Sequence, residues 1–140
     1  MGLIDIDVMS KWVKATPDRG VIEWPHDADE DRLYLSVVTI AEMRGGIERL
    51  PAGRRRANLT HWLESELPAR FEGRLLPIDA EVADEAGRVL ARVRASGREP
   101  QAMDALLAAT ALVHRFTLVT RNVTDFQKLG LSLFNPWQVD

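Results

Sequence analysis

The sequence predicts an α/β layer fold built on a mainly parallel sheet. One observation predicts it, and a second places a site on it. Short runs of apolar, β-branched and aromatic residues alternate with longer segments of helical periodicity. Acidic residues recur where those runs end or where the following helices begin, and in open parallel sheets the active crevice lies at the carboxyl ends of the strands.

The elements follow in order. Leu3 to Val8 reads as a short buried strand, and Met9 to Ala15 as the helix behind it, broken by Pro17. Val21, Ile22 and Trp24 suggest a short helix stopped at Pro25, and His26 to Arg32 is a polar, mostly acidic connection. Leu33 to Val37 is strand-like. Thr39 has the look of a helix cap with Glu42 three residues on, the spacing of a capping box, and that helix should end near Leu50-Pro51. Ala52 to Phe71 carries Leu59, Trp62, Leu63 and Leu67 at helical spacing, with Pro68 expected to end or kink it. Arg74 to Ile78 is a strand. Asp79 caps a helix from Ala80 to Ala95 that Gly97 stops, and Pro100 opens another to about His114. Phe116 to Thr120 is a strand, and Leu131 to Phe134 a last short one.

With 140 residues, 46% hydrophobic and 28% charged, the chain is sized for a single domain, 1–140, with a full core. The absence of cysteine excludes disulfides, thiolate zinc sites and a cysteine nucleophile. No apolar run approaches the roughly 20 residues of a membrane span, and no basic-then-apolar leader is visible, so a cytoplasmic protein is expected. A net charge of −3 excludes a general basic coat, and nucleic-acid contact would need a local patch.

Four acidic residues carry the chemistry. Asp5, Glu42, Asp104 and Asp125 each lie in or beside apolar sequence that would normally pack inside a fold. Several carboxylates cannot gather there without a cation. Hard oxygen donors select Mg²⁺ or Mn²⁺. Such a centre polarises a phosphoryl oxygen and lowers the pKa of a water that attacks phosphorus, which is nuclease and phosphatase chemistry. The chain contains no Gly-x-x-x-x-Gly-Lys loop, Gly-x-Gly-x-x-Gly loop or Gly-x-Ser-x-Gly elbow. His26, His61 and His114 have no metal-ligand spacing, and His61 and His114 read as structural. Trp12, Trp24, Trp62 and Trp137 read as packing residues that can also stack on bases. Arg54-Arg55-Arg56 is a basic cluster that fits a solvated face or a phosphate grip. Arg121 abuts the acidic cluster and can pair with a carboxylate or hold a phosphate.

Taken together these segments resemble the PIN-domain ribonucleases, and within them the VapC-type toxins of toxin–antitoxin modules. The likeness runs from Leu3-Ile4-Asp5 with Val8 and Ser10, through Leu33-Tyr34-Leu35-Ser36 and Thr39-Ile40-Ala41-Glu42-Met43-Arg44-Gly45-Gly46-Ile47-Glu48. It continues in Met103-Asp104-Ala105-Leu106-Leu107-Ala108-Ala109-Thr110-Ala111 and Leu118-Val119-Thr120-Arg121-Asn122-Val123-Thr124-Asp125-Phe126. It closes on Leu129-Gly130-Leu131 and Asn135-Pro136-Trp137. Each motif is weak alone; in this order they are specific.

The resemblance implies a three-layer α/β/α PIN-like domain and a metal-dependent endoribonuclease toxin. It makes Asp5, Glu42 and Asp104 the metal-binding triad. Its fourth place falls on Asn122, with Asp125 as the nearby acid and Thr120 ordering the site. Asn122 brings an amide oxygen but no charge. Two departures mark the start: Ile6 stands where a hydroxyl residue is usual and Asp7 where Asn is usual, so Asp7 can add charge or replace an orienting amide. The resemblance further implies a cognate antitoxin whose tail covers the acidic groove, homodimers, toxin–antitoxin hetero-oligomers that reach DNA only through the antitoxin, and no membrane association. Met9, Trp12, Val13, Val21, Ile22 and Trp24 are candidates for an antitoxin-helix groove. Two other readings remain at this point. Asp5-Ile6-Asp7-Val8 also resembles the Asp-x-Asp motif of haloacid-dehalogenase-like phosphatases, with Asp5 as nucleophile and Asp7 as acid–base. A catalytically weak, partner-binding module is the other.

Overall fold

The computed structural model describes residues 1–14 and 30–138, with side chains over 1–10 and 31–137. Five strands form one sheet, and every pairing is parallel. They are β1 (Gly2–Ile4), β2 (Leu33–Ser36), β3 (Leu75–Leu76), β4 (Thr117–Val119) and β5 (Leu133–Phe134), in the order β3-β2-β1-β4-β5. The described helices are α1 (Ile6–Lys14), α2 (Val37–Glu48), α3 (Arg54–His61), α4 (Leu67–Arg70), α5 (Ala80–Ala95), α6 (Ala102–His114) and α7 (Val123–Phe126).

Strand periodicity builds the three layers. Alternate residues of a strand point to opposite faces. Ile4, Leu33, Leu35 and Val119 pack one way, with Val8 and Met9 of α1, Met43 and Ile47 of α2, and Leu63, Leu67 and Phe71 beyond. Leu3 and Leu118 pack the other way, with Val89 of α5, Leu107, Ala108 and Ala111 of α6, and Phe126. β1 is central and buried on both faces, as a parallel strand must be. Gly2 lets it sit there: a Cβ would come within 3.1 Å of the Val119 side chain and 3.3 Å of Leu33.

Several local expectations are corrected. The first strand ends at Ile4, and Ile6, Asp7 and Val8 form the first turn of α1. Asp5 makes the switch: its Oδ1 accepts the Ile6 N–H at 2.7 Å and its carbonyl accepts the Met9 N–H at 3.1 Å. Ser36, not Thr39, caps α2. It stays extended while its Oγ accepts the Val38 N–H at 3.0 Å, so Glu42 lies in the second turn and closes no capping box. Pro68 does not end its segment. A π turn over Trp62–Glu66 inserts one extra residue per turn, and Pro68 falls at the start of α4, where a missing N–H is tolerated. The strand expected over Arg74–Ile78 is paired only at Leu75–Leu76, and the helix expected from Pro100 begins at Ala102. The Asp79 cap, the Ala80–Ala95 helix and its Gly97 stop in the left-handed region stand as read.

Of the proposed antitoxin groove, Met9 is fully buried in the core and is unavailable to a partner. The side chains of Trp12 and Val13, and residues 15–29 with Val21, Ile22 and Trp24, lie outside the described residues. Among the described residues no helix is long and apolar enough to cross a membrane.

The strand order fixes where a site can be. From β1 the chain steps outward to β2 and β3, then crosses back to β4 and β5 on the other side. The carboxyl ends of β1 and β4 therefore border a topological switch point, the crevice position of open parallel sheets.

Candidate active site

Asp5 immediately follows β1, and its N–H donates to the Val119 carbonyl of β4 at 2.9 Å. Thr120 immediately follows β4 and is fully buried. Its hydroxyl donates to Asp5 Oδ2 at 2.7 Å and accepts the Asn122 N–H at 2.9 Å. The hydroxyl thus ties the two strand ends together and fixes the Asp5 carboxylate. The first turn of α1 brings Asp7 to the same place. Its oxygens accept the Arg121 N–H at 3.1 and 3.3 Å, with Thr120 Oγ1 3.4 Å away. Asp7 so reaches the site from a helix rather than from a strand face. The Asn122 amide donates to Asp125 Oδ2 at 2.8 Å, joining the two candidates for the fourth place into one hydrogen-bonded pair.

Glu42 comes from α2 and Asp104 from the first turn of α6, both half-buried. Electrostatics tie them to the strand-end residues. Burial, then repulsion from Asp5, Asp104 and Asp7, pushes the Glu42 carboxyl up to about 7. Burial raises Asp5 to about 6 with help from the charges of Asp7 and Asp104, against the lowering effect of the Thr120 and Ile6 hydrogen bonds. Asp104 is raised by burial and by Asp125. None of Asp5, Asp7, Glu42, Asp104 or Asp125 forms an ion pair with a described Lys, Arg or His. As the side chains stand, no three carboxylates or histidines among the described residues are close enough to share one ion. They are near enough to repel and too spread to chelate. The donor set nonetheless suits a hard divalent cation, being all oxygen, negatively charged and not compensated by any described cation.

Arg121 makes the contact that sequence reading left open. Its guanidinium lies over the Trp137 ring, 5.1 Å from the centroid, and joins no carboxylate of the described residues. Trp137 was expected to pack, yet it is 37% exposed beside the crevice. Its place depends on β5 pairing with β4, a long-range contact without a local signature. Arg56 pairs with Glu48, while Arg54 and Arg55 are exposed on the helical layer. His61 is exposed, and His114 lies 5.6 Å from the Phe116 ring.

A parallel sheet with acidic side chains gathered at its switch point defines a class of carboxylate-centred α/β proteins. Within that class the chain belongs to the PIN-domain family, whose model matches residues 3–130. It is 37% identical over 138 residues to the VapC ribonuclease Y4jK of Sinorhizobium fredii, with 99% of each chain covered. It is 34% identical over 137 residues to Toxin FitB of Neisseria gonorrhoeae, covering 98% of this chain and 99% of that one. The solved structure of FitAB bound to an IR36 DNA fragment superposes with a TM-score of 0.87 at 33% identity, covering 100% of this chain and 98% of that one. The chain is thus a PIN-domain protein of the VapC and FitB toxin type. The phosphatase reading of Asp5 and Asp7 gives way to this match over the whole chain.

Proposed function

We propose that this protein is a metal-dependent endoribonuclease, the toxin of a toxin–antitoxin module. One observation carries the reading. Asp5 after β1, Glu42 of α2 and Asp104 of α6 have their proton affinity raised by burial and by neighbouring carboxylates, in a crevice where no described Lys, Arg or His pairs with them. The 37% identity to a VapC ribonuclease supports RNA as the substrate.

In this reading Asp5, Glu42 and Asp104 hold Mg²⁺ or Mn²⁺, directly or through water, with Asn122, Asp125 and Asp7 as outer partners. When bound, the ion supplies Lewis acidity toward a phosphoryl oxygen and makes water a better nucleophile at neutral pH. The chain's own groups do the rest. Thr120 holds the Asp5 carboxylate through a 2.7 Å hydrogen bond, so the central ligand is preset before any ion arrives. The Arg121 N–H orients Asp7. The Asn122–Asp125 pair sets charge beside Asp104.

A cognate antitoxin is the proposed partner, with a toxin–antitoxin hetero-oligomer, a toxin homodimer, DNA contact through the antitoxin and a cytoplasmic setting. A toxin among the relatives and the DNA-bound FitAB structure support this. A cationic antitoxin side chain would relieve the same carboxylate repulsion that an ion relieves.

The test is incubation of metal-stripped protein with total cellular RNA, with and without Mg²⁺ or Mn²⁺, and mapping of the ends produced. Cleavage that needs the ion and is lost in a folded Asp5→Asn protein is expected. No cleavage by the wild type under any of these conditions would leave the partner-binding reading in its place.

A further inference from the structure

We propose that Trp137 is a nucleobase-stacking residue at the rim of the crevice and that Arg121 is its paired phosphate ligand, together gripping a single-stranded segment of RNA. The inference rests on the nuclease reading and adds to it how an acidic site holds a polyanion.

The geometry is set by the two strand ends. The Thr120 N–H donates to the Phe134 carbonyl at 3.0 Å, so the chain leaving β5 runs beside the chain leaving β4. Past β5, the Asn135 side chain accepts the Trp137 N–H at 2.9 Å, and a 3₁₀ turn over Pro136–Gln138 fixes the backbone that bears the indole. Past β4, the Arg121 N–H is held by Asp7, a member of the acidic cluster, while its side chain reaches out to the indole. An exposed aromatic ring and an exposed cation thus meet past the adjacent ends of β4 and β5, at the rim of the crevice.

Charge explains why such a pair is needed. The chain carries a net −3, and the crevice concentrates carboxylates with which no described Lys, Arg or His pairs. Coulomb attraction at the centre cannot draw in a phosphodiester before an ion is present. Stacking on an aromatic face is indifferent to that repulsion and tolerates every base. An exposed cation–π contact is weak beside a charge-assisted Arg–phosphate hydrogen bond. An arriving phosphate therefore draws Arg121 off the indole and uncovers the ring for the neighbouring base. The parked arginine keeps the ring covered until substrate is there.

The experiment measures binding of a labelled single-stranded oligoribonucleotide, and of its counterpart with abasic residues, to the full chain in the cleavage-impaired Asp104→Asn background with Mg²⁺. Trp137→Ala should weaken binding of the normal oligonucleotide by about fivefold to fiftyfold, while Trp137→Phe keeps most of the affinity. On the abasic oligonucleotide the Trp137 and Ala proteins should bind alike. Arg121→Ala should flatten the dependence of log Kd on log salt by about 0.7, and Trp137→Ala should leave that slope unchanged. Trp137→Leu, which keeps apolar bulk without a π-face, should behave like Ala. Binding of Trp137→Ala within about twofold of the parent, or an equal loss on the abasic strand, would overturn the assignment. If the wild type cuts RNA and these variants bind it unchanged, only this inference fails; if the wild type leaves RNA uncut with either ion, both readings fail.

Discussion

Glu42 and Glu48 lie on the same helix, α2, and could hardly be treated more differently. Glu48 is exposed and meets Arg56 at 2.9 Å and Arg44 at 3.5 Å; Arg44 in turn reaches Glu64 at 2.7 Å. Every carboxylate in that network has a guanidinium. Glu42 is half-buried, faces Asp5, Asp104 and Asp7, and pairs with no described Lys, Arg or His. Among the described residues, arginines serve the outer face and none pairs with a crevice carboxylate. The outer network is an ordinary solvated face of small energetic worth. The crevice holds buried and half-buried carboxyls raised by burial and by one another's charge, and perturbed groups of that kind cluster at functional sites.

The largest expected effect lies on the crevice side. Asp104→Asn removes one ligand charge while keeping shape. It should cut RNA cleavage by about a hundredfold or more, roughly 2.7 kcal/mol of barrier. Single-turnover cleavage at saturating Mg²⁺ checks it, with circular dichroism to confirm folding. Cleavage that persists unchanged would remove Asp104 from the centre.

Next comes the ion. Since the folded state alone gathers the carboxylates, Mg²⁺ at about 100 times its Kd should stabilise the protein by about 2.7 kcal/mol. The rise in Tm should be lost in the Asp5→Asn, Glu42→Gln double variant and kept in Glu48→Gln. An equal rise in all three proteins would erase the contrast between the two regions.

Without the ion, the sign of the pH dependence follows from the raised carboxyls. Asp5 moves from 3.8 to about 6 and Glu42 from 4.5 to about 7 on folding. Between about pH 4 and 7 the folded state therefore holds more protons at this pair than the unfolded state, and the pair's contribution to stability falls as pH rises. By about pH 8 the destabilisation is complete. Asp5→Asn should then raise stability at pH 8 by about 2 kcal/mol and by little at pH 4. Glu42→Gln should act the same way but more weakly, because its carboxyl is partly screened by solvent. Urea unfolding at the two pH values measures both. A variant less stable than the wild type at pH 8 would mean that the Asp5 hydrogen bonds to Thr120 and Ile6 outweigh the repulsion.

These two regions also show what a sequence discloses. The α5 helix was legible from end to end because its cap at Asp79, its periodicity and its stop at Gly97 are all local. The acidic residues were legible as chemistry because a carboxylate amid Leu, Ala and Met is locally anomalous. Their spacing in the folded protein was not. The end of β1 was misread because Leu3 to Val8 suits a strand as well as a strand followed by the inner face of a helix, and only the Asp5 hydrogen bonds decide between them. Thr39 was mistaken for a cap because both it and Ser36 can serve, and the length of β2 makes the choice. The Pro68 segment depended on a π turn with no compositional mark. Trp137 could be placed only after β5 was known to pair with β4.

The smallest effect is expected on the outer face, and it sharpens the comparison because the chemical change is the same. Glu48→Gln removes a carboxylate charge from α2, as Glu42→Gln does. Here the charge lost is one that arginines already balance, and both partners remain solvated. Exposed ion pairs contribute about 0.2–1 kcal/mol, and salt screens them. Glu48→Gln should therefore lower stability by no more than about 1 kcal/mol at low salt, and by nearly nothing near 1 M NaCl. RNA cleavage and the Mg²⁺-dependent rise in Tm should stay at wild-type levels. The sign is the decisive part: the same Glu→Gln exchange on one helix should stabilise the metal-free protein at position 42 and destabilise it at position 48. Urea unfolding of the two variants at pH 8, each at low and high salt, reads both signs. If both exchanges move stability in the same direction, the unpaired charge of Glu42 is not what distinguishes the crevice from the outer face.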